Sequence, residues 1–502
     1  MNKIKQRLIA FFKGRNCPAA ATALLVALSV MVLNLIFYTI GSSVPMYLRF
    51  ADELDLSISS SADDTFSDAM ERGDKVTVTF CMYRDVIESH TTGKYVLDTA
   101  EQFADQYPGL ITLRFINILT QLDENGAPVD MTPYEEYTET YGSTLSRYSV
   151  IFECGNKLRI VTDTTSSVGY ADFFTFDSTD SATSYSGEET FAAMVNYVVR
   201  PGETKAAYIT TGHSEQPSTA LINLLVRAGY NVKEINLRKA EKVPDDAGLV
   251  VISNPITDFE RAAEGSGLHS EIERLREYAE RGGNIFVTLD PIASRTAVLE
   301  SFLSEFGFSI DRTEGESNIV KDVSDSISTD GFRLVLDIPE DGSAASIKEK
   351  VAIGGGDVIL YYAASMTLTG SAKPLLVANG AETEAGGETV GRDSTYAVAG
   401  YSEHTFDNGN TASVVVVPSI YLAASDAIVS NGYANKDFIY ALCEEFFEAG
   451  AMSYGIRGYV YNDNILENLT MGTARAFTAA IIAVPVLLAA VGTVVVVRRK
   501  NR

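Results

Sequence analysis

Two long apolar runs frame the chain. Ala19–Ile40 is almost wholly apolar and lies in a stretch, 16–48, without a charged residue; Ala476–Val497 is likewise uncharged. A helix rises about 1.5 Å per residue, so about 20 apolar residues cross a hydrocarbon core of about 30 Å. The pattern therefore predicts transmembrane helices over 19–40 and 476–497, the second tolerating Pro485. Lys3, Lys5, Arg7, Lys13 and Arg15 precede the first run, and Arg498, Arg499, Lys500 and Arg502 follow the second. Basic flanks stay on the cytoplasmic side. A basic N-terminus (1–18) and a basic tail (498–502) are thus expected inside the cell. The chain is expected to cross the cell (plasma) membrane twice, with its main part outside the cytoplasm and the lipid bilayer as one partner.

Between the runs the pattern shortens. Asp74–Cys81 (DKVTVTFC) alternates as a strand, and Gly93–Tyr107 has helical spacing through Val96, Ala100 and Phe103. Pro108-Gly109 breaks that helix, and Leu110–Leu119 reads as a second strand. A hairpin over 149–162 turns at Gly155-Asn156, and a helix over 188–199 places Phe191, Met194, Val195 and Val198 on one face. These elements predict a smaller N-terminal α/β domain over 49–200, thioredoxin-like in topology but without the Cys-x-x-Cys of redox chemistry.

After Pro201-Gly202, strands and helices alternate. The strands are Lys205–Thr210, Tyr230–Leu237, Gly248–Ser253, Asn284–Leu289 and Ala412–Pro418; the helices are 218–228, 269–281 and 435–448. Ser218 is placed to cap the first of these helices and Gly229 to close it. Alternation of this kind predicts a parallel sheet covered on both faces, a Rossmann- or flavodoxin-like α/β domain over 201–460. Residues from about 295 to 400 read as an insertion of mixed strands.

Charge narrows the partners. Nine of the 40 Lys and Arg lie in the two basic ends, leaving 31 against all 66 Asp and Glu in between, a balance of −35. Such a surface is soluble and repels nucleic acid, which is not expected as a partner. Cys81, Cys154 and Cys443 are too few for a disulfide framework; Cys81 and Cys154 could pair, or all three could be buried thiols.

Catalytic signatures are absent. There is no G-x-x-x-x-G-K-[ST] phosphate loop, no H-E-x-x-H, no G-x-S-x-G elbow and no dinucleotide glycine fingerprint. An amidotransferase-like sheet would need a nucleophilic cysteine, yet none lies between Cys154 and Cys443. The expectation is a protein without enzymatic activity, cofactor or metal site. One polar cluster sits where α/β sheets gather ligands, beyond the carboxyl ends of the strands. Gly212, His213 and Glu215 follow the first strand of the 201–460 domain, Asn254 the third and Asp290 the fourth. Together they form a candidate ligand or partner rim; the alternative role for His213 is to shape the turn.

Four segments resemble one family. YITTGHSE (208–215), the stretch from Ala228 to Pro255 (AGYNVKEINLRKAEKVPDDAGLVVISNP), ERGGNIFVTLDP (280–291) and GYANKDFIYALCEEFF (432–447) are similar to the GldG-like auxiliary components of ABC-type transport systems, first associated with gliding motility. The closing Pro-containing apolar run with its basic tail also fits. The resemblance implies a non-catalytic, membrane-anchored subunit beside a separate ATPase and an ABC permease. The alternative is a stand-alone envelope ligand-binding or sensing protein that uses the 212–215 rim.

Overall fold

The computed structural model describes residues 58–460, apart from 142–143, 163–168, 177–181, 216–217, 261–269, 323–325, 430–431 and 451. The helices expected over 19–40 and 476–497 lie outside the described residues. No described helix is long and apolar enough to cross a membrane.

The N-terminal part is built on the strands Val76–Phe80 (β1), Ile111–Asn117 (β2), Val150–Cys154 (β3) and Lys157–Val161 (β4). β1 runs parallel to β2 and antiparallel to β3, and β3 turns tightly into β4. The helices Asp63–Arg72 (α1), Gly93–Gln106 (α2) and Gly187–Val199 (α3) pack with them, beside Arg84–Glu88 and Thr132–Tyr141. α2 buries Val96, Leu97, Ala100 and Phe103, the face its spacing foretells. α3 is buried almost all round. Phe191 and Val195 fill the N-terminal core, while Glu189 bonds to residues of the second half of the molecule.

That second half contains Ala206–Thr210 (β5), Asn231–Ile235 (β6), Ala247–Ser253 (β7) and Asn284–Thr288 (β8), then Phe308–Ile310 (β9), Met366–Leu368 (β10), Ala372–Ala385 (β11), Glu388–Thr405 (β12) and Thr411–Val417 (β13). β6, β5, β7, β8 and β13 lie side by side and parallel. β12 joins β13 antiparallel, and β9, β10 and β11 continue the antiparallel half. The fold is thus mixed α/β, with parallel and antiparallel pairing in one ten-stranded sheet. Most strands of the 295–400 segment extend this sheet at its antiparallel edge, while Arg312–Thr313 with Glu316–Ser317 and Arg333–Leu336 with Val358–Tyr361 pair apart from it.

The parallel strands read as unbroken apolar runs because both faces are covered. On one face Leu249, Val251 and Phe286 meet Leu221 and Leu224 of Thr219–Arg227 (α4) and Phe438 and Leu442 of Asn435–Phe446 (α6). On the other, Ile252, Ile285 and Val287 meet Ile272, Leu275 and Ala279 of Glu271–Glu280, which is numbered α5 from its place in the chain. Ser270 caps α5 through a reciprocal pair with Glu273: the Glu273 amide donates to Ser270 Oγ at 3.1 Å, and the Ser270 amide to Glu273 Oε2 at 2.9 Å. Ser218 stands at the N-cap of α4, but its hydroxyl donates to the Ala423 carbonyl at 2.8 Å instead of capping the helix.

Candidate functional site

The parallel strands β5, β7 and β8 end at one rim, and there the chain makes a dense polar knot. Gly212 has φ +115, and a Cβ at this position would lie 2.9 Å from Asn236 Nδ2, so the turn after β5 is specific to glycine. The turn directs His213 inward, where it is only 1% exposed. Its amide donates to Glu215 Oε2 at 2.7 Å, and its carbonyl accepts from Ile256 and Thr257 at 2.9 and 3.1 Å. The imidazole stacks on Phe259 with centroids 4.0 Å apart, and Nε2 meets Glu271 Oε1 at 2.9 Å.

Glu271 begins α5 and is 2% exposed. Its second oxygen accepts the Glu260 amide at 2.8 Å, with Arg238 Nε at 3.5 Å. Burial alone would lower the His213 pKa; the hydrogen bond and charge of Glu271, aided by the charge of Glu215, outweigh it and raise the value. Burial would raise the Glu271 carboxyl, but the His213 hydrogen bond, the Glu260 amide and the charges of His213 and Arg238 bring it down. Each group thus favours the ionised form of the other.

Asn254 adopts φ +51 at the end of β7 and donates its amide to the Thr288 carbonyl at 2.9 Å. The 254–257 segment therefore closes directly over the His213 turn. Asp290 is set apart: its Oδ1 accepts the Ile292 amide at 2.9 Å, beside Pro255 and Arg312. The gap there is only about 10 Å³, the scale of a single water. Glu271, Phe259 and Arg238 complete the knot and carried no sequence signal of their own.

Larger spaces open where α3 meets the second half. A cleft of about 410 Å³ is bordered by Arg159, Thr175, Glu189, Asn223, Arg227 and Lys436. Within it Glu189 is satisfied by Arg227 at 3.1 Å, Lys436 at 3.1 Å and the Tyr440 hydroxyl at 2.7 Å. A second cleft, of about 510 Å³, is bordered by Asp68, Asn196, Arg200, Lys205, Tyr230 and Glu448. Both escape a reading by strand ends. The nearly continuous apolar run 191–199 of α3 was nevertheless a signal: Asn196, the polar residue inside it, had to be buried.

The three described cysteines are free thiols. Burial pushes Cys81 and Cys443 up to about 12, which leaves almost no thiolate at neutral pH. Iodoacetamide should leave both unmodified in the native protein and alkylate both after denaturation, as read by peptide mass spectrometry. Native labelling of Cys443 would contradict its placement in α6.

No family model matches the chain, and no characterised protein matches it in sequence. Among solved structures, the mmIFT52 N-terminal domain is similar at TM-score 0.35 and 14% identity, covering 49% of this chain and 99% of that one. A cytoplasmic protein of Salmonella typhimurium is similar at TM-score 0.31 and 11% identity, covering 48% and 98%. The PurLQS of Thermotoga maritima is similar at TM-score 0.28 and 11% identity, covering 48% and 99%. At these scores the likenesses carry no functional argument.

Proposed function

We propose that this chain is a membrane-anchored, non-catalytic auxiliary subunit of an ABC-type transporter, its Rossmann- or flavodoxin-like domain facing the envelope to engage a partner or substrate. One observation supports the reading above the others. The four segments that resemble the GldG-like family are scattered over 208–447 in sequence but assemble into one block. Tyr208–Glu215 supplies β5 and its turn, 228–255 supplies β6 and β7, 280–291 supplies β8, and 432–447 supplies α6, which packs on those strands. The Tyr230 hydroxyl donates to the Phe447 carbonyl at 2.5 Å and ties two of the segments together.

The buried rim fits a scaffold role, since His213 Nε2 and both Glu271 oxygens bond to groups that the chain itself provides. In the proposed assembly the 19–40 and 476–497 helices dock on a multi-span permease, and a separate ATPase supplies the energy. The test is a mild-detergent pull-down of the full-length protein from the cells that make it, followed by mass spectrometry. An ABC ATPase and its permease are expected in the eluate. Recovery of the chain without either would sink the proposal.

A further inference from the structure

The two ends of the described fold leave it at one place. Ile58 donates its amide to Gln102 Oε1 of α2 at 3.3 Å, and Ser59 gives its amide and its hydroxyl to Glu188 Oε1 at 2.8 and 2.5 Å. At the other end, Tyr459 and Val460 pair antiparallel with Tyr185 and Ser184, just before α3. Tyr185 and Glu188 are close neighbours in the chain, so the polypeptide enters and leaves the fold side by side. Both ends are fixed there. Glu188 is followed by Glu189, whose Oε2 accepts Lys436 Nζ at 3.1 Å, and the same Nζ donates to the Ile456 carbonyl at 2.6 Å. A Cβ at Gly458 would lie 3.2 Å from the Tyr185 carbonyl, so the second exit also runs close against its neighbouring strand.

Chain length then limits which way that face can point. The apolar run 19–40 is joined to Ile58 by the 17 residues 41–57, and Val460 to the run 476–497 by the 15 residues 461–475. A chain advances at most about 3.3–3.6 Å per residue, so these links reach no further than about 60 and 55 Å. A fold of about 400 residues is about 55 Å across, and the path half-way round it is on the order of 85 Å. Links rooted on the side away from a bilayer could not come round to it. Rooted on the near side, both reach it with length to spare. The 410 Å³ cleft shares this face: Ser184, Ser186 and Gly458 border it beside the exits, and so does the exposed Asn223 of α4.

We propose that the face bearing both exits is the one turned to the bilayer, so that the 410 Å³ cleft opens toward the membrane. The inference rests on the anchored reading proposed above and deepens it, by fixing which surface of the domain meets the membrane. The turn between β12 and β13 marks the other side. There Asn408 Nδ2 donates to the Glu280 carbonyl at the end of α5. α4 and α5 cover opposite faces of the sheet. A helix is about 10 Å thick and a packed sheet layer takes about as much, so Asn223 and this turn stand about 20 Å apart.

The test is energy transfer in lipid vesicles. Asn223→Cys and Asp407→Cys, both at exposed positions, are made separately in the full-length chain carrying Cys17→Ser and Cys154→Ser; Cys81 and Cys443 are buried and stay. Each variant is labelled with a donor dye in mild detergent and reconstituted with lipids bearing an acceptor on the headgroup. Flotation establishes that the chain resides in the vesicles. The donor at 223 is expected to lie about 10 Å or more closer to the headgroups than the donor at 407. Ser425→Cys, exposed at the same cleft, supplies the near measurement should Asn223→Cys not fold. Equal heights, or a donor at 407 closer to the headgroups, would overturn the orientation and leave the anchored reading intact. A chain that does not float with the vesicles would overturn both.

Discussion

Replacing Glu189 by glutamine is expected to destabilise the protein by about 3–5 kcal/mol, the range for breaking a buried ion pair from one side. The side chain is 6% exposed and serves three partners from three directions: Arg227 of α4, and Lys436 and Tyr440 of α6. Glutamine keeps the shape but leaves two cations facing each other without a counter-charge. Urea denaturation of the two proteins at neutral pH measures the difference, and a loss below about 1 kcal/mol would show that water or rearrangement replaces the carboxylate. The same group carries an acid signature. Burial would raise its pKa, but Lys436, Arg227 and the Tyr440 hydroxyl hold it down, from 4.5 to about 2. A carboxyl depressed in the folded state stabilises above its unfolded value, so this contribution is complete above pH 4.5 and fades as pH falls toward about 2. The depression corresponds to roughly 3 kcal/mol, all of which Glu189→Gln should remove from the acid limb of a stability profile.

His213→Leu is expected to cost about 3 kcal/mol or more, because it leaves the buried Glu271 carboxylate without its imidazole partner, with Arg238 as its remaining cation at 3.5 Å. Here the pH dependence has two limbs. The His213 pKa is raised, so its contribution is complete below 6.5 and is lost as pH rises through the elevated folded value. The Glu271 pKa is lowered, so its contribution is complete above 4.5 and is lost as pH falls through the depressed one. The pair therefore contributes most between 4.5 and 6.5. The stability gap between the unaltered protein and His213→Leu should be widest in that window and narrow toward alkaline pH. A gap that does not vary with pH would mean that His213 acts by packing on Phe259 alone.

Periodicity made most of the sheet legible before any coordinates. β5, β7, β8 and β13 are apolar runs bounded by turns, and α2, α4 and α6 show clear faces, because burial on one or both sides leaves little freedom in residue type. The capping box of α5 was also written in the sequence as Ser270 and Glu273, though the helix was expected to begin at His269, which lies outside the described residues. The rim was legible only as a turn. That His213 would fold inward onto Glu271 depended on a pairing across the 254–260 segment, which no local pattern announces. The two clefts were less legible still. Arg200, Gly229 and Gly450 are far apart in sequence, and each alone reads as a helix end or a turn. The mixed pairing of the sheet was hidden for a related reason: the antiparallel strand β12, though paired on both sides, is largely exposed along 388–395 and buried only from 398, so its apolar signal is diluted.

The position of β13 also sets the order in which the molecule can be completed. β8 ends at Thr288, yet its next parallel neighbour is not made until 411–417, and the helix that covers that face comes later still. A chain emerging from the ribosome would hold β6-β5-β7-β8 with an open edge at β8 and one face covered by α4 alone while the whole of β9–β12 is synthesised. Pairings so distant in sequence are slow, and waiting edges invite association. Lys436 belongs to that last helix, so Glu189 and Arg227 must stand as a two-member pair until it arrives. Truncated or stalled chains ending before 411 should accordingly be the species that chaperones and proteases find first.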